Sequence, residues 1–187
     1  MIRDMQYEVR RLRITTPVEI RSRFREDVSR GMQQSQKAIP PKYFYDRYGS
    51  LLFEQICQQP EYYLTRTEAS ILQAHVTDIW DEVGECTIVE LGSGSSVKTR
   101  LLFDEGQRRN LPLHYVPIDI SASMLEATAN ALANEYPRIE VDALATEYLN
   151  GLMALPNGKP RLVMFLGSNL GNFTLQEQTQ LLSLIHI

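Results

Sequence analysis

At 187 residues and 21.5 kDa the chain can bury one sizeable core, and its 43% hydrophobic and 22% charged residues are an ordinary water-soluble balance. A net charge of −4 with no polybasic tract in the globular part argues against a nucleic-acid binder, and no run approaches the roughly 18 apolar residues of a membrane helix. Cys57 and Cys86 have no metal spacing, His75, His114 and His186 are scattered, and no apolar h-region marks a signal peptide. Together these features read as a cytoplasmic protein with reduced thiols and no metal site.

Residues 1 to about 35 are polar and weakly patterned. Arg3, Arg10, Arg11, Arg13, Arg21, Arg23, Arg25 and Arg30 are interspersed with five acids, leaving only about +3 net over this stretch. It reads as a solvated, poorly ordered or docking leader rather than a nucleic-acid arm. An aromatic-dense block occupies 39–46, and Gly49-Ser50 leads into a helical run, Leu51–Cys57, which Pro60 stops. Thr67 is a suitable N-cap for a further helix with Ile71, Leu72, His75, Ile79 and Trp80 on its apolar positions. Most of the aromatics in this region are core material. Tyr62-Tyr63, in an extended link, can turn one ring inward and hold the other hydroxyl at a pocket. Residues 36–85 are therefore expected to form a helical segment that walls or lids the mouth of the domain C-terminal to it.

The stretch T-I-V-E-L-G-S-G-S-S-V-K-T-R at 87–100 has a different character. Ile88, Val89 and Leu91 predict a buried parallel strand. Gly92-Ser93-Gly94 then makes a turn where backbone N–H groups can approach a ligand without Cβ obstruction, and a helix is expected from about 97 to 108. The dinucleotide fingerprint fails because Val97 stands where its third glycine belongs, and the phosphate-gripping P-loop pattern is absent. A second strand, 114–119, ends in Asp119, an acid suited to a ribose diol. Glu90, inside the first strand, is a second acid expected to aim at the same region. A helix at 122–135, a third strand at about 139–143, and a fourth at 162–166 continue the βαβ series. The fourth runs into the glycine and asparagine loop 167–172, and a helix begins at Leu175. Four strands and then an unfinished helix leave one sheet edge uncovered, so residues 86–187 read as an α/β domain truncated after its fourth strand.

Glycine turns and strand-tip acids occur in many doubly wound domains. G-S-G preceded by E-L, with Asp119 in register, nonetheless resembles the Rossmann-like sheet of class I S-adenosylmethionine (SAM) methyltransferases. More specifically, the chain resembles the histidine Nα-methyltransferase family of ergothioneine biosynthesis. The resemblance is carried by P-P-K-Y-F-Y-D at 40–46, G-S-L-L-F-E-Q-I at 49–56, P-E-Y-Y-L-T-R-T-E at 60–68 and V-E-L-G-S-G-S-S-V-K-T-R at 89–100. Y-V-P-I-D-I-S at 115–121 and F-L-G-S-N-L-G-N-F at 165–173 complete it.

That resemblance implies SAM as cofactor, with Gly92, Gly94, Lys98 and Asp119 as its contacts. Glu147 and Tyr148 would stand beside the adenine, where family members often carry aspartate and phenylalanine; Asp142 is the nearest alternative acid. It implies L-histidine as substrate, with Tyr62 and Asn172 on its α-amino or carboxylate groups and Tyr62 as the candidate proton acceptor. Successive transfers would yield the trimethylated betaine hercynine. The residues that read the imidazole would come from a C-terminal substrate domain outside this chain, and the full-length enzyme is expected to be a monomer. An N-methyltransferase of another amino acid, such as a tryptophan derivative, and a catalytically silent SAM-binding module are the competing readings.

Overall fold

The computed structural model describes residues 7–10, 17–156, 158 and 160–185. Its centre is a fully parallel five-stranded sheet. The strands are β1 (Tyr7–Arg10), β2 (Thr87–Leu91), β3 (Leu113–Asp119), β4 (Ile139–Ala145) and β5 (Arg161–Met164), in the order β1-β4-β3-β2-β5. From β2 the chain steps outward through β3 to β4, then returns past β2 to lay down β5 on its other side. β2 and β5 therefore flank the topological switch point, the position at which open α/β sheets bind ligands beyond their strand ends.

The strands are apolar on alternate positions toward both faces because helices cover both. On one face Ile88, Tyr115, Ile139, Val141 and Met164 pack with Leu102, Phe103, Leu125, Leu132 and Trp80. These come from α3 (Leu64–Val83), α4 (Arg100–Arg108) and α5 (Ala122–Glu135). On the other face Val89, Leu91, Val116, Ile118 and Leu144 meet Leu152 and Leu181, from α6 (Tyr148–Met153) and α7 (Leu175–Ile185). The β3–β4 register runs from Leu113–Ile139 to Tyr115–Val141 and resumes at Ile118–Leu144. The gap falls at Pro117, which has no N–H to give the ladder.

Several boundaries differ from expectation, each for a local reason. α3 starts at Leu64, because Tyr63 already has helical angles (φ −71°, ψ −19°). Thr67 thus lies inside the helix, donating its N–H to the Tyr63 carbonyl at 3.0 Å, and the pair Tyr62-Tyr63 is not an extended link. The buried face of α3 runs through Leu72, Val76, Ile79 and Trp80; Ile71 is exposed, and exposed His75 meets Asp78 at 3.2 Å instead. α2 (Arg47–Cys57) begins before Leu51, capped by Asp46, whose Oδ1 accepts the Gly49 N–H at 2.7 Å. α4 begins at Arg100 rather than about 97, because left-handed Ser96 (φ 53°) turns the chain first.

The largest difference lies in the stretch expected as a polar leader. Tyr7–Arg10 adds an edge strand beside β4, and Pro17–Gln33 forms the helix α1. Residues 1–6 and 11–16 of that stretch, with Arg3, Arg11 and Arg13, lie outside the described residues, as does His186. Among the described residues, no helix is long and apolar enough to cross a membrane.

Trp80 joins α3 to α4: it is 2% exposed, and its indole N–H donates to the Leu102 carbonyl at 3.0 Å. Trp80→Ala removes that packing and the indole donor that ties α3 to the Leu102 carbonyl. The expected loss is about 3–5 kcal/mol, read from urea midpoints by circular dichroism.

Candidate active site

Beyond the carboxyl ends of β2, β3 and β4 lies a cavity of about 640 Å³, within the ~300–1,000 Å³ typical of small-molecule sites. Its floor is the glycine turn. Gly92 donates its N–H to the Ile118 carbonyl at 2.8 Å, and Gly94 donates its own to Asp119 Oδ2 at 3.1 Å. The Thr128 hydroxyl of α5 donates to the Gly94 carbonyl at 3.0 Å, so the turn is tied to both β3 and α5. Gly92 has φ 71°, and a Cβ there would lie 2.6 Å from the Tyr148 hydroxyl. Only glycine meets both demands.

Six of the residues singled out in the sequence line this one cavity: Gly92, Gly94, Asp119, Glu147, Tyr148 and Asn172. Asp119 sits at the tip of β3, with Oδ1 accepting the Ser121 N–H at 2.9 Å. Burial raises its pKa despite backbone N–H bonds from Ser121, Gly94 and Ile120. Its carboxylate oxygens can still accept from a ligand hydroxyl. Tyr148 packs edge-on against Phe165 at 5.3 Å, next to Phe173, which also lines the cavity. Glu147 lines the wall, whereas the alternative acid Asp142 lies within β4 and is not part of the lining.

Two expected residues stand behind the wall. Lys98 donates from Nζ to Glu68 Oε2 at 2.5 Å. Tyr62 packs edge-on against Phe53, a lining residue, at 5.9 Å, and burial raises its phenol pKa, helped by Cys57, Tyr45 and Glu68. Glu90 does not face the ligand region at all. It is 3% exposed and turned into the core, where Oε2 accepts from the Thr99 hydroxyl at 2.6 Å and the Tyr115 hydroxyl at 2.5 Å. Tyr115 in turn meets the Ser96 hydroxyl at 2.7 Å. Position 90 faces the α4 side of the sheet, so its carboxyl braces the loop from beneath rather than reaching the mouth.

The roof comes from residues that the sequence did not single out. Lys42 Nζ meets Asp27 Oδ2 at 3.3 Å and Glu147 Oε1 at 3.2 Å, joining α1, the 3₁₀ turn Pro41–Phe44 and the α6 cap. The Tyr43 hydroxyl also donates to Asp27 Oδ2, at 2.6 Å. Burial works to raise the Asp27 pKa, but Tyr43, Lys42 and Arg30 outweigh it and hold the carboxyl below its ordinary value. Tyr45 lines the cavity beside Phe53, and Glu54 accepts from the Ser95 hydroxyl at 2.9 Å. The aromatic density at 43–53 was the available signal, but composition does not separate a wall from a core.

A parallel α/β sheet, a glycine turn after β2, a strand-tip acid and a cavity at the switch point define a nucleotide-type site of the SAM-methyltransferase class. A family model described as histidine-specific, SAM-dependent methyltransferase matches residues 24–186. The chain belongs to that family. It is 45% identical to a histidine N-alpha-methyltransferase of Mycobacterium tuberculosis over 85% of this chain and 50% of that protein. Ergothioneine biosynthesis protein 1 of Neurospora crassa is 32% identical, over 86% of this chain and 18% of that one. A 4-dimethylallyltryptophan N-methyltransferase of Claviceps purpurea is 26% identical, over 85% and 50% respectively. The chain spans about half the length of the mycobacterial relative.

The buried carboxyl makes stability pH-dependent. Burial, opposed by the Thr99 and Tyr115 hydroxyls and the Lys98 charge, raises the Glu90 pKa from 4.5 to about 7. The favourable contribution is complete below the unfolded value and is lost as pH rises through about 7. Glu90→Gln has no such titration. Its stability relative to the parent should therefore improve by up to roughly 3 kcal/mol between about pH 4.5 and pH 8, read as the difference in urea midpoints.

Proposed function

We propose that this chain carries the cofactor-binding part of an enzyme that methylates the α-amino group of L-histidine, successively to the trimethylated betaine hercynine. The reading rests above all on one observation: Gly92, Gly94, Asp119, Glu147, Tyr148 and Asn172, drawn from four separate chain segments, line a single cavity. The fit to SAM comes from the same wall. Gly92 leaves bare backbone where a Cβ would collide with Tyr148, and Asp119 offers carboxylate oxygens to a ribose diol at the second strand tip.

When bound, SAM supplies a methyl group on a sulfonium for in-line displacement by the amine, leaving a neutral thioether. The protein's share is alignment more than acid–base strength. Asp119 and the glycine turn hold the nucleoside end, and Glu147 and Tyr148 hold the adenine. Asn172 orients the amino acid through contacts that tolerate loss of N–H donors as methyl groups accumulate. The α-amino group must shed a proton before attack. Water takes that proton. Tyr62, whose phenol is kept protonated by burial behind Phe53 of the lining, would act on the amine only through a bridging water, as a hydrogen-bonding and orienting group. The enzyme is taken to be a cytoplasmic monomer whose partner is a free amino acid rather than a nucleic acid or a membrane.

The similarity to a tryptophan-derivative N-methyltransferase favours a second reading, with the same cofactor and a larger side chain on the amino acid to be methylated. Calorimetric titration of S-adenosylhomocysteine into this chain, repeated with L-histidine and with L-tryptophan, separates the possibilities. The expected result is saturable binding weakened at least about tenfold in Asp119→Ala, the size of one lost charge-assisted contact. A folded chain that takes up no S-adenosylhomocysteine would overturn the cofactor assignment. Tighter binding beside L-tryptophan than beside L-histidine would favour the second reading.

A further inference from the structure

We infer that Glu68 is a positioning residue of this site: its carboxylate ties the loop after β2 to the loop after β5 and holds the Lys98 ammonium at their junction. The inference rests on the cofactor reading above. Glu68 lies in the first turns of α3, outside the sheet, and its two oxygens serve different loops. Oε2 accepts from Lys98 Nζ at 2.5 Å, 30 residues away, and Oε1 accepts the Gly167 N–H at 2.8 Å, 99 residues away. Gly167 has φ 78°, and a Cβ at this position would lie 3.9 Å from Lys98 Nζ, so ammonium, amide and carboxylate gather at one point.

That point has a particular place in the topology. The loops that start at Gly92 and Gly167 leave neighbouring strands on either side of the switch point. The first carries Gly92 and Gly94 of the cavity floor, and the second leads to Asn169 and Asn172 of its wall. A single carboxylate joined to both fixes the width of the crevice between cofactor-side and substrate-side residues. The rest of the T-R-T-E block has other work. Arg66 donates to the carbonyls of Gln59 and Pro60, and the Thr65 hydroxyl meets Cys57 Sγ at 3.5 Å, which secures the link between α2 and α3. Glu68 is the member of the block that reaches the site.

The pair is partly shielded, with side chains 17% (Lys98) and 27% (Glu68) exposed, so solvent screens it less than a surface ion pair. Lysine has a flexible four-carbon stem and three donors. Glu68 takes one donor and removes the stem's freedom, leaving a fixed cation just behind the lining. A Gly167 Cβ would lie 3.9 Å from it and 3.5 Å from the side chain of the lining residue Asn169, which puts the cation in reach of the carboxylate at the amino-acid end of the cofactor. Lys98 is also close enough to Glu90 to lower that group's pKa, so a misplaced ammonium would disturb the brace beneath the glycine turn as well.

Calorimetry with two probes tests the inference: S-adenosylhomocysteine, which carries the amino-acid end, and 5′-methylthioadenosine, which lacks it. Glu68→Gln keeps an acceptor for the Gly167 amide and removes the charge; Glu68→Ala removes both. Glu68→Gln should weaken S-adenosylhomocysteine about tenfold and leave 5′-methylthioadenosine within about twofold of the parent. Lys98→Met should show the same pattern, and the double variant should bind no more weakly than either single one, since both remove one interaction. S-adenosylhomocysteine affinity within about twofold of the parent in Glu68→Gln, or losses that add in the double variant, would overturn the positioning role. Equal weakening of both probes would reduce Glu68 to a structural residue and overturn it too. A folded parent chain that binds neither probe overturns the cofactor reading itself, which separates the two failures.

Discussion

A carboxyl group inside a parallel sheet must be neutral or fully hydrogen-bonded, because burying a bare charge costs more than packing returns. Glu90 meets that constraint with two hydroxyl donors on one oxygen, and much of the site hangs from the arrangement. Thr99 comes from the turn that leads into α4, Tyr115 from the neighbouring strand β3, and Ser96, bonded to Tyr115, from the loop itself. The loop that forms the cavity floor is thereby anchored into the core at both ends of its non-helical course. Left-handed Ser96 is an uncommon conformation for a residue with a side chain, and the chain of hydroxyls gives it a reason to persist.

Above the floor the site is closed by parts of the chain far away in sequence. α1 and the 3₁₀ turn converge on Asp27, and Lys42 spans from there to Glu147 at the α6 cap. Glu68 performs the equivalent task on the opposite flank, joining the loops after β2 and β5. In both places one charged side chain carries a connection between segments that lie beyond the strand ladders. A rigid sheet below and a charge-tied cover above suit a cavity that must admit a ligand and then hold it.

How much of this is legible in the sequence depends on the range of the forces involved. Strands β2 to β5 are legible because both of their faces are covered and their apolar runs are short and continuous. Gly92, Gly94 and Asp119 belong to a local motif. Glu147, Tyr148 and Asn172 emerge only through resemblance to a family, since nothing near them in sequence marks them. The strand Tyr7–Arg10 escapes notice because four residues at a sheet edge are too short a run to show a period, and their pairing partner β4 lies far along the chain. Helix starts at Leu64 and Arg100 are hard to place, because single-residue dihedrals at Tyr63 and Ser96 decide the boundary. Glu90 looks like a residue of the mouth until strand parity, settled only by the register, turns it toward the core. Glu68 and Lys42 make contacts 99 and 105 residues away, and no local pattern carries that information.

The single tryptophan has a practical meaning for anyone studying the protein in solution. Trp80 is enclosed between α3 and α4, bonded to a helix carbonyl, and takes no part in the cavity wall. Its emission should be that of a dry, apolar environment, and it should shift to the red only when the helical layer on that face of the sheet comes apart. The intrinsic fluorophore is therefore a gauge of the scaffold and a poor witness to events at the glycine turn. There the tyrosines, Tyr45 and Tyr148, are the chromophores that a ligand would meet.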